Sequence, residues 1–169
     1  RGTVLTAKLS ATFIYTALLI LFFALMSLGL GSLWLGTGDL VVFHQGVLVL
    51  PKQVAWVRFL LAFGFATGMM LVVAALCFMF SAMVSNAIGP IIGAMAVIII
   101  GLAISTIPID WFAAIKPYIF TTYFDIWQQV FFDPIPWGKI GHDALVLGIY
   151  GMGFVLISYL IFLRKDILS

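Results

Sequence analysis

The stretch FSAMVSNAIGPIIGA, residues 80–94, decides how this chain is read. It lies inside an uncharged run from Phe59 to Ile109. As one helix that run would be about 75 Å long, over twice the ~30 Å hydrocarbon thickness of a bilayer. It must fold back. Asn86, Gly89 and Pro90 are its good turn formers, and Pro90 suits the first turn of a following helix. The run therefore predicts a helical hairpin, with spans at 59–84 and 88–107 joined by a turn at 85–88.

Two further uncharged runs flank the hairpin. Leu9 to Gly38 holds a helix over 9–34 that ends in the Gly-rich GLGSLWLGTGD, and Ala144 to Leu163 holds one over 144–163 that stops at Arg164-Lys165-Asp166. Four crossings result, and the expected fold is an all-α polytopic membrane domain. Its flanks are a lead-in over 1–8, outer segments over 35–58 and 108–143, and a tail over 164–169. Composition agrees: the chain is 64% hydrophobic and 8% charged, with a mean hydropathy of +1.26, so in water its apolar surface would have nowhere to go. A net charge of +2, with the basic residues scattered, excludes a nucleic-acid surface. The opening RGTVLTAKLSATF does not read as a signal peptide, for which an initiator Met, a bounded apolar core and a cleavage site before a soluble domain are expected. It reads instead as part of something longer. The lone Cys77, set in an apolar run, can form no internal disulfide and reads as a small buried hydrophobe.

The interval over 108–143 is not ordinary loop. It carries Trp111, Tyr118, Tyr123, Trp127 and Trp137 among other rings, a density expected at the headgroup level. Pro117 is placed to start a helix, and 118–132 reads either as a short amphipathic or re-entrant helix or as a plain interfacial belt. Orientation by positive charge ties: Arg1, Lys8, Arg164 and Lys165 lie on one side, Lys52, Arg58, Lys116 and Lys139 on the other. The terminal cations sit in short flanks, which count for more than long segments, so both ends of the chain are expected in the cytoplasm.

The four spans carry no Asp, Glu, Lys, Arg or His. Ion-coupled transporters usually place an ionisable residue or a broken helix at the substrate site, and these spans offer neither a proton relay nor a carboxylate trap. No phosphate-binding loop, zinc-protease or serine-hydrolase motif is present, and no metal or cofactor is indicated. His44 and His142 are single histidines in flanking segments; capping or interfacial solvation accounts for them as well as chemistry does. Gly64 and Gly68, and again Gly89 and Gly93, stand four apart, a spacing that lets helices approach closely in lipid, within this subunit or at a dimer interface. Packed helices with no energy source of their own point to a translocation pathway driven by another polypeptide.

The ends of the chain then resemble a known family. RGTVLTAKLSATF resembles the cytoplasmic segment ahead of the third membrane helix in ABC-2 type permeases of ATP-binding-cassette transporters, with Arg1, Leu5 and Lys8 at the basic, apolar and Lys positions. YLIFLRKDILS resembles that family's last helix exit, through Phe162, Arg164, Lys165, Asp166 and Ile167. The Ser-bearing LCFMFSAMVSNAIGP and the aromatic outer segment are similar too. Family members usually have six spans, and the preceding Pro-x-Ser turn is missing here, so the resemblance implies the C-terminal four-helix portion of such a domain in the cell membrane. It also implies that ATP is hydrolysed on a cytoplasmic ATP-binding subunit, that a second permease subunit completes a homo- or heterodimer, and that Arg1, Leu5 and Lys8 receive force from the ATP-binding partner. A substrate would move through this chain, most often outward. Two other classes stay open: a membrane enzyme clustering Asp110, Asp125, His142 or Asp143 around one pocket, and a scaffold subunit that transports nothing.

Overall fold

A computed structural model of the chain describes residues 2–34, 36–43, 47–84, 86 and 88–164. Arg1, His44, Lys165, Asp166 and Ile167 lie outside the described residues. Four long helices form from the apolar runs: α1 (Gly2–Trp34), α2 (Lys52–Met83), α3 (Gly89–Thr106) and, after two one-turn helices α4 (Asp110–Ala113) and α5 (Ile126–Gln129), α6 (Trp137–Arg164). All four are long and apolar enough to cross a membrane. The chain is thus a multi-pass, membrane-embedded protein.

The polar flanks prove more ordered than hydropathy implies. The lead-in over 1–8 is already helical from Gly2, and the last seven residues of the outer segment over 108–143 form the first two turns of α6. The outer loop over 35–58 is corrected most: it contains an antiparallel pair, β1 (Leu40–Phe43) and β2 (Val47–Leu50), in the register Leu40 to Leu50 and Phe43 to Val47, and α2 begins at Lys52. A hydropathy window sees only the part of a helix that is apolar. Helical turns that continue past the hydrocarbon carry polar residues and look like loop.

Local chemistry sets the turns. Gly36 closes α1 with a φ of +77°, in the left-handed region that glycine enters without steric cost. Asn86 accepts a hydrogen bond from the Gly89 N–H through its Oδ1 at 2.7 Å, which closes the turn onto the first amide of α3, where Pro90 follows. A methyl at Gly89 would stand 2.6 Å from that same oxygen, so this glycine serves the turn.

α2 is the hub, packing most extensively on α6 and also on α1 and α3. Its Val72 and Leu76 join Ala94 of α3, Ile140 and Leu147 of α6, and Phe120, Ile126 and Val130 of the segment between them in one buried cluster. α1 buries only Leu5 and Ala24 and leaves most of its apolar surface to the surroundings. In lipid that exposure needs no cover, since hydrocarbon tails solvate leucine as well as another helix does.

Candidate functional site

The residues between α3 and α6 enter the bundle. Proposed from sequence as one helix over 118–132 or as a belt, they form instead a chain of single turns, 3₁₀ at Lys116–Tyr118 and Phe120–Tyr123 and α at Ile126–Gln129. Phe120 packs edge-on against Phe154 at 5.6 Å between ring centroids, and also against Tyr150. These two residues lie about 20–25 Å along α6 from its first residue. The segment therefore dips deep between α3 and α6 and climbs back out. The rings divide accordingly: Trp111, Tyr118 and Trp137 are exposed in the manner of a belt and Trp127 less so, Tyr123 is partly buried, and Phe120 is in the core.

Three polar clusters hold the segment. Inside a membrane its backbone groups cannot turn to water, so each needs a partner within the protein. On α3, Ser105 Oγ lies 3.0 Å from both Thr121 Oγ1 and Thr122 Oγ1, and Thr122 donates in turn to the Lys116 carbonyl at 2.8 Å. This contact requires Gly101, where a methyl would come within 2.7 Å of Thr121 Oγ1. On α2, the buried Arg58 donates through Nη1 to the carbonyls of Phe132 at 2.6 Å and Val130 at 3.2 Å, and its Nη2 meets Asp133 Oδ1 at 3.3 Å. On α6, the buried Asp143 accepts from Gln129 Nε2 at 2.8 Å and lies 3.2 Å from His142 Nδ1. Tyr123 lies beside His142 and donates its phenol to the Pro117 carbonyl at 2.7 Å.

Arg58, Gln129 and Gly101 escaped the sequence reading. Hydropathy places Arg58 in a loop, although a cation just before the uncharged run from Phe59 to Ile109 is the kind of residue a bundle can draw in; Gln129 and Gly101 carry no signal without the fold. The residues singled out from sequence are spread widely. Leu5 is 3% exposed, so its side chain is covered within this chain, while Lys8 is exposed on the same helix. Gly93 of α3 faces the Phe80 ring of α2, where a methyl would stand 3.0 Å away; at Gly64 and Gly68 it would meet nothing within 4 Å.

Among the described residues, two clefts along the bundle stand out. One, of about 480 Å³, runs between α1, α2 and α6 and is lined by apolar side chains and by Gly68, Gly148 and Gly151. The other, of about 370 Å³, lies between the end of α1 and the start of α2, where Lys52 and Asp39 are its charged residues. Neither is lined by Asp110, Asp125, His142 or Asp143. Among the described residues, no three of His, Cys, Asp or Glu are grouped as a metal site would need. Comparison with protein-family models, curated proteins and solved structures finds no match to this chain.

Proposed function

We propose that this chain is the translocating portion of an ABC-2 type permease, moving a substrate outward on ATP hydrolysed by a cytoplasmic partner. The observation that carries the reading is the cleft between α1, α2 and α6, which has three glycines and no charged residue in its lining. Its glycines leave the walls without side chains: a methyl at Gly68 or Gly148 would meet nothing within 4 Å, so space remains between the helices there. A wall without ionisable groups offers no relay for protons and no trap for an ion, so the energy has to arrive from elsewhere. The segment inserted between α3 and α6 also fits the aromatic outer segment that the resemblance implies. In this reading the ends of the chain and the Asn86 turn face the cytoplasm, a second permease subunit completes the pathway, and the exposed Lys8 meets the ATP-binding partner. The buried Leu5 supports the helix that presents Lys8.

A membrane enzyme working through His142 and Asp143 has their contact in its favour. Against it, Asp143 is 4% exposed and its other carboxylate oxygen is already engaged by Gln129. The test compares proteoliposomes of the chain alone with the complex captured from its native membrane through a tag on this chain. Alone, it should neither hydrolyse ATP nor accumulate solute under an imposed proton or sodium gradient. The captured complex should contain an ATP-binding subunit and hydrolyse ATP, and Lys8→Glu should lower transport by that complex while leaving its membrane insertion normal. Gradient-driven uptake by the isolated chain overturns the proposal.

A further inference from the structure

The cleft between α1 and α2 has a composition that neither a translocation pathway nor helix packing requires. Ser32, Thr37, Asp39 and Lys52 form its rim, and Trp56 and Phe59 line its apolar side. Phe59 lies seven positions into α2, so the cleft reaches about 10 Å down from the first turn of that helix. Trp34, 88% exposed, and the partly exposed Trp56 stand at the same end of the bundle, as indole rings do at the headgroup level of a bilayer. The mouth therefore faces headgroups and the floor faces acyl chains.

The two charged residues at the rim are opposite in sign, and both are exposed. Lys52 Nζ donates to Thr37 Oγ1 at 2.8 Å, which leaves two of its three ammonium hydrogens free of that bond. Asp39 accepts from the Lys52 N–H through Oδ1 at 3.1 Å, a bond that does not use its second carboxylate oxygen. That bond sets the Asp39 carboxylate on the first amide of α2, so the two charges of the rim stand together at the start of one helix. An anionic headgroup would satisfy the lysine and be repelled by the aspartate. A headgroup carrying both charges satisfies both. At about 370 Å³ the cleft is at the small end of the ~300–1,000 Å³ typical of small-molecule sites, a size for a headgroup rather than a whole lipid.

We propose that this cleft binds the headgroup of a zwitterionic phospholipid, with the phosphate at Lys52 and the ammonium at Asp39. The proposal requires only a membrane-embedded bundle and stands apart from the transport reading. Native mass spectrometry of the full chain, relipidated with an equimolar mixture of phosphatidylethanolamine and phosphatidylglycerol, tests it. The wild type should retain phosphatidylethanolamine preferentially. Lys52→Gln should lower that retention about five-fold, the equivalent of the ~1 kcal/mol a basic residue gains at a lipid headgroup. Asp39→Asn should turn the preference toward phosphatidylglycerol. Gly31→Leu provides a variant free of charge effects: Gly31 lines the cleft, and a methyl there meets nothing within 4 Å, so a leucine starts from open space and takes up cleft volume. It should abolish retention at unchanged thermal stability. Equal retention of both lipids by the wild type, undiminished retention in Gly31→Leu, or displacement of the lipid by millimolar inorganic phosphate would each overturn the proposal.

Discussion

Arg58 shows how one side chain can serve a membrane protein structurally while resembling a functional charge. Its planar fork spans two carbonyls and a carboxylate, a geometry lysine cannot reproduce with a single point of charge. The ion pair itself is the smaller part, because the Asp133 side chain is 55% exposed and water screens it. The larger part is the pair of bonds to the Val130 and Phe132 carbonyls, which would otherwise lose a partner at the point where the inserted segment leaves the bundle. We expect Arg58→Met to destabilise the protein by roughly 2–4 kcal/mol and Asp133→Asn by about 1 kcal/mol or less, measured as unfolding in detergent. Arg58→Lys should fall between them. Equal effects of Arg58→Met and Asp133→Asn would show that the ion pair, not the backbone contact, holds the segment.

Among elements, the association of α3 with the inserted turns depends on the absence of a single methyl group. Gly101→Ala would force Thr121 away from α3 and break the hydroxyl cluster around Ser105. Overpacking of that kind typically costs about 1–3 kcal/mol. Gly64→Ala meets open space and gains up to about 1 kcal/mol of helix propensity. Thermal unfolding of the two variants should therefore move in opposite directions. Destabilisation by Gly64→Ala comparable to that of Gly101→Ala would place a close helix contact at Gly64. The pair also shows why glycine spacing alone did not find the contact. Gly64 and Gly68 stand four apart on one helix, whereas Gly101 acts alone against a segment that is not a long helix.

For the whole molecule, the fold makes a prediction about sides. Asn86 is exposed at the turn between α2 and α3, and Gln128 is exposed on the inserted segment at the opposite end of the bundle. In a background with Cys77 replaced by Ala, cysteines at 86 and 128 should be labelled by an impermeant thiol reagent from opposite faces of the membrane. Labelling of both from one face would mean that α3 does not cross. That four helices form was legible in the sequence, because a bilayer allows only long uncharged runs to cross as helices and because Asn86, Gly89 and Pro90 divide the longest run. The ends of those helices were less legible, since polar turns beyond the hydrocarbon leave no hydropathic mark. The path of residues 116–133 was decided by tertiary structure alone. Its turns are too short to propagate as helices on their own, and what holds them are Ser105, Arg58 and Asp143, each brought from a different helix. Local sequence records which segments can enter the membrane; which of their polar groups meet is settled only when the helices pack.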